Sequence, residues 1–195
     1  MRRPGGADFA PGAYVFPGGV VHEEDSAWAN EIAAAAVREV FEEVGILLAR
    51  AGTRFARQRD CDGVRELVAG GSSFSKALRS GGLEPALDRL VLLTRWVTPS
   101  LLRRRYDARF YLARLPAGQS IRVQTDEVSD WLWITAETAL NDPSITLVYA
   151  TRKVLESVAA DGDAGGLFAR VRRLKSVPVV EPRMVQTESG WEIVH

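Results

Sequence analysis

The segment Arg38–Ile46 reads Arg-Glu-Val-Phe-Glu-Glu-Val-Gly-Ile, and the interpretation of the whole chain depends on it. On a helix, at 100° per residue, Glu39, Glu42 and Glu43 would share one face. Gly45 is expected to end this helix, because glycine tolerates the positive φ of a C′ residue. The residues of the opposite face are apolar and suited to docking against a core: Ala33, Ala36, Val37, Val40, Phe41 and Val44.

Like charges one turn apart destabilise a helix, so we expect a positive charge near the acidic face to offset the repulsion. Arg38 can reach Glu42, but one guanidinium leaves most of the negative charge unbalanced. Hard cations such as Mg²⁺ prefer oxygen ligands and usually bind through a few carboxylates together with substrate phosphates. The acidic face therefore predicts a divalent metal site. The alternative is a solvated helix face without a ligand, which is what most charged stripes are.

The upstream motif Phe16-Pro17-Gly18-Gly19, taken with Arg-Glu-x-x-Glu-Glu-x-Gly, resembles the signature of the Nudix family of diphosphate hydrolases. That signature runs glycine, five residues, glutamate, seven residues, then Arg-Glu-apolar-x-Glu-Glu-x-Gly-apolar. Gly19 matches its start, and Arg38–Ile46 matches its second half. The first half departs from it: Asp25 stands in place of the glutamate, and twelve residues instead of seven precede Arg38. The pattern resembles the branch that includes peroxisomal coenzyme A diphosphatases and many bacterial members.

This resemblance implies the fold. We expect an α/β protein, a Nudix-type α/β/α sandwich with a mixed sheet, in which residues 1–160 form the Nudix domain and 161–195 a C-terminal extension. Residues 51–90, with helical patterns at Val64–Ala69 and Phe74–Leu78, are interpreted as a helical insertion. Family members normally begin with about two more strands than this chain has before Tyr14. We therefore expect missing N-terminal strands, with marginal stability or compensation by a partner chain, as in a homodimer.

The resemblance also implies the site. Glu39, Glu42 and Glu43 are expected to bind Mg²⁺ or Mn²⁺, aided by Glu127 and a backbone carbonyl near Gly18 or Gly19. Asp126 and Asp130 are alternatives to Glu127, and so is a loop of solvated carboxylates. Glu39 is our choice of general base, and Arg38 is expected to orient the acidic cluster.

A basic segment around Arg103–Arg105 is the candidate for substrate binding. Trp96-Val97-Thr98-Pro99, followed by Arg105-Tyr106-Asp107-x-Arg109-Phe110, resembles a recurrent feature of this branch. Arginine binds phosphate bidentately and stacks on aromatic rings. We therefore expect Arg105, Tyr106 and Arg109 to contact the substrate, together with Phe16. The alternative is an edge strand with solvated arginines.

The composition limits which classes of function the chain can have. The 195 residues are 46% hydrophobic and 26% charged, which suits a single domain with a sizeable core. Equal numbers of basic and acidic residues, 25 of each, give no electrostatic footprint for nucleic acid or an anionic membrane, so a small-molecule partner is expected. The single Cys61 excludes an internal disulfide and suits a reducing cytoplasm. No apolar run approaches the ~20 residues of a membrane span.

Local signals predict the remaining elements. Helices are expected at Ala27–Val44, capped by Asp25 or Ser26, and at Ala136–Leu140 and Leu147–Ala159. Strands are expected at Tyr14–Phe16, at Leu90–Val97, after the basic cluster, and at Trp131–Ile134.

The predicted function is metal-dependent hydrolysis of a diphosphate linkage in a nucleoside diphosphate derivative, with coenzyme A or an acyl derivative as the leading substrate. The alternatives are an ADP-ribose or nucleotide-sugar diphosphatase, and a catalytically silent Nudix module that senses a ligand or binds a partner.

Overall fold

The computed structural model describes residues 1–8, 10–101, 105–124, 126–187 and 190–194. Six α-helices lie in this part of the chain: α1 Glu31–Val44, α2 Gln58–Ala69, α3 Phe74–Ser80, α4 Ala136–Asn141, α5 Tyr149–Ala159 and α6 Ala164–Arg172. Its strands are β1 Ala49–Ala51, β2 Arg54–Phe55, β3 Glu84–Pro85, β4 Val91–Val97, β5 Asp107–Leu112, β6 Val179–Val180, β7 Arg183–Thr187 and β8 Gly190–Val194.

Helix α1 carries the acidic segment and has well-defined ends. Gly45 follows it with φ +76°, and the Gly45 N–H donates to the carbonyl of Phe41 at 2.9 Å, which confirms the predicted stop. The predicted start was wrong. The helix is capped by Asn30, whose side chain accepts from Ala33 N at 3.1 Å, and not by Asp25 or Ser26. Glu23–Ala27 instead form a short 3₁₀ helix, in which Asp25 is buried.

The larger of two apolar cores surrounds α1. Val37, Phe41 and Val44 pack with the chain just after Gly45 and with helices α2 and α3. The side of α1 that carries the glutamates is also covered, because Arg38, Glu39 and Glu43 are all buried. The helix is therefore enclosed on more sides than a surface amphipathic helix would be.

The strands form three small sheets. In the first, β1 lies between β2 and β3, and all pairs are antiparallel. In the second, β4 pairs antiparallel with β5 and parallel with β6, so this sheet is mixed. It packs against α5 and α6 through a second core that includes Leu93, Trp96 and Val154. The third is the antiparallel β7–β8 hairpin. The α/β class with a mixed sheet is confirmed.

Two predicted strands are not formed. Tyr14 makes only isolated bridges to Arg2 and Leu147, and Trp131–Ile134 has no strand assignment although Asp130 bridges to Arg2. Strand propensity forms a strand only where the backbone pairs continuously, and the pairing here is limited to isolated bridges among Arg2, Tyr14, Asp130 and Leu147. The side chains of Trp131–Ile134 are consequently exposed, from 40% for Ile134 to 74% for Trp133. Helix α6 was not predicted.

Within the described residues, no helix combines the length and the apolar character needed to cross a bilayer.

Candidate active site

Arg38 is the centre of the acidic site. Its side chain is fully buried, and all five of its N–H donors have acceptors. Nε and Nη2 donate to the two carboxylate oxygens of Asp25, each at 3.1 Å. Nη1 donates to Glu39 and to Glu42 at 2.8 Å each, and Nη2 also donates to the carbonyl of Val20 at 2.7 Å. One guanidinium thus joins two signature glutamates to the segment before α1.

The charge balance explains why this burial is tolerated. Removing a guanidinium from water lowers its pKa, but the hydrogen bonds that Arg38 donates to Asp25 and the charges of Glu39 and Glu42 outweigh the desolvation, so the pKa of Arg38 is raised. Deleting one partner of such a buried network would leave an uncompensated charge, which typically costs about 3–5 kcal/mol. The predicted orienting role of Arg38 has a geometric basis in these contacts.

Glu43 lies on the other flank of the site. Its Oε2 accepts from the backbone N–H of Gly18 at 2.7 Å. Burial raises the pKa of Glu43 to about 7; the Gly18 hydrogen bond opposes this shift, and the charges of Glu39 and Glu127 add to it. The Phe-Pro-Gly-Gly motif is thereby fastened to α1.

Gly19 faces Glu39 at very close range. A Cβ at Gly19 would overlap both carboxylate oxygens of Glu39. The absence of a side chain therefore lets the backbone of the Gly-Gly motif approach the glutamate.

Glu127 lies on an exposed loop that is tied to the end of α1. Gln124 N donates to the carbonyl of Glu43 at 3.0 Å, and Glu127 N and Val128 N both donate to the carbonyl of Gln124. Because the charge of Glu127 acts on Glu43, the loop brings a fourth carboxylate towards the site. Of the two alternatives, Asp130 is engaged elsewhere, since it accepts from the hydroxyl of Tyr14 at 2.6 Å.

The carboxylate oxygens of Glu39, Glu42 and Glu43 are the candidate ligands for a divalent cation. No group of three or more His, Cys, Asp or Glu residues in the described ranges is gathered into a ready metal cage. Each of Glu39, Glu42 and Glu43 nevertheless uses one oxygen in the contacts above, and its second oxygen has no hydrogen-bond partner among the described residues. Mg²⁺ commonly takes one or two carboxylates and completes its shell with water and phosphate. These hard, anionic oxygens suit such an ion.

Only some of the predicted substrate-binding residues lie near the acidic site. Phe16, two residues before Gly18, packs edge-on against Phe110 with ring centroids 6.1 Å apart, which places an aromatic wall beside the motif. Arg105 instead contacts Glu181 at 3.3 Å, and Arg109 lies 3.7 Å from Asp107. Tyr106 is exposed, at 41%. Arg103 and Arg104 fall outside the described residues.

Sequence reasoning missed the role of two acidic residues. Asp25 was noted only as a departure from the signature and as a helix cap, whereas it is the bidentate partner of Arg38. Glu24 accepts from Ser75 N at 2.8 Å and helps to raise the pKa of Glu42, after the larger effect of burial. Asp25 occupies the position of the signature glutamate, which was a signal for its pairing with Arg38. No local pattern indicated the contact of Glu24 with Ser75.

Comparisons with known proteins bear on the family of this chain. No protein-family model matches the chain. The chain is 32% identical over 143 residues to the Caenorhabditis elegans protein named "Putative nudix hydrolase 7"; the match covers 73% of this chain and 48% of that protein. The chain thus spans about half the length of this curated relative.

A solved structure, a NUDIX hydrolase from Alicyclobacillus acidocaldarius, superposes with a TM-score of 0.70 at 27% identity. The superposition covers 89% of this chain and 86% of that one.

Fold and site together define an α/β protein whose signature helix presents buried carboxylates around one arginine. The chain belongs to the Nudix hydrolase family.

Proposed function

We propose that this chain hydrolyses a diphosphate linkage in a nucleoside diphosphate derivative, with Mg²⁺ or Mn²⁺ as cofactor. The observation that carries the proposal is the buried Arg38 network, which holds Glu39 and Glu42 by one oxygen each. Glu43 is held in the same way by Gly18. Three carboxylates are fixed in place while each keeps an oxygen for a further ligand.

In this proposal, Glu39, Glu42 and Glu43 hold the metal, with Glu127 and a backbone carbonyl of Gly18 or Gly19. The bound ion supplies charge neutralisation at the diphosphate oxygens and a lowered pKa for the attacking water. Arg38 keeps the carboxylates oriented, because its planar fork fixes their direction as well as their charge. Glu39 is the proposed general base: its one free oxygen would accept the proton of the water that adds to phosphorus as the anhydride P–O bond breaks, and while it does so Glu42 and Glu43 would hold the metal.

Substrate binding extends the proposal beyond the metal. Phe16 provides an apolar surface next to the Gly-Gly motif, and Arg105, Tyr106 and Arg109 are proposed to contact phosphate or a ring of the substrate. Arg105 forms an exposed ion pair with Glu181, and Arg109 is half-buried at a long 3.7 Å from Asp107. Exposed pairs are weak, typically about 0–1 kcal/mol. A phosphate could therefore displace the present partners at little cost.

Coenzyme A or an acyl derivative is the proposed substrate, on the strength of the extended signature and the Phe-Pro-Gly-Gly motif. A fold and a metal site do not select substrates by themselves. The rival assignment is an ADP-ribose or nucleotide-sugar diphosphatase.

A substrate panel tests the proposal. Coenzyme A, an acyl-coenzyme A, ADP-ribose, a nucleotide sugar and a dinucleoside polyphosphate are incubated with the protein and Mg²⁺, and the products are identified. We expect cleavage of coenzyme A or its acyl derivative to give two phosphomonoesters. Preferential cleavage of ADP-ribose or a nucleotide sugar would support the rival. No magnesium-dependent cleavage of any member would favour the silent module.

A further inference from the structure

A surface cavity of about 470 Å³, broadly open to solvent, lies outside α1. It is bounded by the segment after Asp25, by the C-terminal end of α3 and by the β1–β3 sheet, and its walls include Trp28, Arg50, Arg79, Leu83 and Glu84. Its volume is in the range of roughly 300–1,000 Å³ that is usual for small-molecule sites. None of the residues assigned above to metal or substrate binding lines it.

Arg79 and Trp28 form one wall. The guanidinium carbon of Arg79 lies 5.1 Å from the centroid of the Trp28 ring, and Nη2 donates to the carbonyl of Ala27 at 3.3 Å. Arg79 makes no ion pair with an acidic side chain in the part of the chain that the structure describes. It therefore keeps its charge and most of its N–H donors for another group.

Arg50, on a different wall, is already compensated. It lies 3.1 Å from Glu84 and 3.0 Å from Asp88. Arg79 is thus the described cation of the cavity that lacks a carboxylate, and the lining as a whole favours an electron-rich or anionic ligand over a cation.

The cavity is connected to the signature through short contacts. Trp28 N donates to the carbonyl of Asp25 at 3.2 Å. Ser75 N donates to Glu24, and Arg79 follows Ser75 by four residues on α3, which is about 6 Å along a helix. A molecule in the cavity would therefore lie beside residues 24–28, in which Asp25 pairs with Arg38.

We propose that this cavity binds the nucleobase end of the substrate, with the planar ring stacked on the Arg79–Trp28 pair. Guanidinium groups stack on indole rings and on nucleobases, and they donate to phosphate as well. The identity of the substrate rests on the proposed function, but binding of a nucleotide to the cavity does not require catalysis.

Calorimetric titration with adenosine monophosphate, in the presence of a chelator, tests this assignment without turnover. The wild-type chain is compared with Arg79→Gln and with a control, Arg172→Gln. The control removes an arginine that stacks on Phe168 at 5.5 Å, on α6 and away from the cavity. We expect Arg79→Gln to weaken binding at least fivefold and Arg172→Gln to stay within twofold of wild type. Inorganic phosphate is expected to bind at least tenfold more weakly than the nucleotide.

Arg79 is exposed, so Arg79→Gln is expected to fold. If this variant does not fold, Arg79→Lys replaces it in the titration. Lysine keeps the charge but loses the planar stacking surface, and the same fivefold loss is expected. The proposal is overturned if wild type does not bind the nucleotide, if either Arg79 variant binds it as well as wild type, or if phosphate binds equally well.

Hydrolysis of the substrate panel is measured separately on the same protein variants, with Mg²⁺ in place of the chelator. Arg79-dependent nucleotide binding without hydrolysis by any preparation would keep the cavity and reject the proposed function. If nucleotide binding does not depend on Arg79 while hydrolysis is unaffected by Arg79→Gln, the cavity assignment is rejected and the proposed function is kept.

Discussion

Arg38 and Asp25 form a fully buried, two-pronged ion pair, with Nε and Nη2 each 3.1 Å from one carboxylate oxygen. The two residues are thirteen positions apart: Asp25 lies within the 3₁₀ helix, and the chain between them includes the first half of α1. Bidentate pairing fixes direction as well as distance. The pair therefore sets where the remaining guanidinium N–H groups hold Glu39 and Glu42.

Replacing Arg38 by lysine tests this orienting role. Arg38→Lys keeps the charge but has one nitrogen to serve five acceptors, so we expect magnesium-dependent hydrolysis to fall at least 100-fold. The free energy of unfolding should fall by about 3 kcal/mol, because buried acceptors are left unpaired. Rates and urea denaturation measure the two effects. Arg170→Lys, at the exposed bidentate pair with Asp161, is the matched control and should change neither. Near-wild-type activity in Arg38→Lys would refute the role.

Adding one methyl group at Gly19 tests the close approach to Glu39. In Gly19→Ala the new Cβ would overlap the Glu39 carboxylate, so that either the carboxylate or the loop must move. We expect at least a tenfold loss of hydrolysis with little change in melting temperature.

The control for this variant is Gly63→Ala, within α2, where a Cβ would meet nothing within 4 Å. It should stabilise the helix by about 0.5–1 kcal/mol and leave the rate unchanged. Full activity in Gly19→Ala would mean that the contact does not matter for turnover.

The buried carboxyl of Glu43 predicts how stability depends on pH in the metal-free protein. Burial raises its pKa from 4.5 to about 7, so between these values the folded state holds a proton that the unfolded state releases. The free energy of unfolding should therefore decrease as pH rises through this window, by up to about 1.4 kcal/mol per pH unit.

Urea denaturation in a chelating buffer at several pH values, for wild type and for Glu43→Gln, measures this slope. The variant cannot ionise at this position, so the difference between the two proteins should vary with pH in that window. A constant difference across it would contradict the assignment.

Arg65 predicts a stabilising substitution. Its Nε and Nη2 atoms are buried without a hydrogen-bond partner among the described residues, although the guanidinium stacks on Phe41 at 5.5 Å. An unsatisfied buried donor costs about 1–3 kcal/mol. Arg65→Met should keep the contact with the ring, remove this cost and raise the melting temperature by several degrees. Arg59→Met, at an exposed position of α2, should leave it nearly unchanged. A lower melting temperature for Arg65→Met would show that the guanidinium is satisfied in solution.

Local patterns in the sequence predicted what depends on local structure. The Gly45 stop and strand β4 follow from backbone preference and apolar periodicity over a few residues. The start of α1 was misplaced because Asp25 has two candidate uses, as a helix cap and as a partner for Arg38, and only tertiary packing decides between them.

Features that depend on distant residues could not be predicted in this way. The Trp131–Ile134 segment has strong strand propensity, but a strand also needs a neighbour, and the local sequence does not specify one. The contact between Glu24 and Ser75 joins residues 51 positions apart and brings α3 next to the signature. No spacing rule within a single helix contains that information.

The most direct test of the metal-dependent site is Glu42→Gln. Glutamine has the shape of glutamate and can still accept from Arg38, whose Nη1 lies 2.8 Å from Glu42, but it lacks the negative charge that a divalent cation needs. Magnesium-dependent cleavage of the best substrate in the panel is measured for both proteins, with circular dichroism and melting temperature as the check on folding. We predict at least a 100-fold loss of rate in a variant that folds like wild type, and equal rates in the two folded proteins would contradict the account.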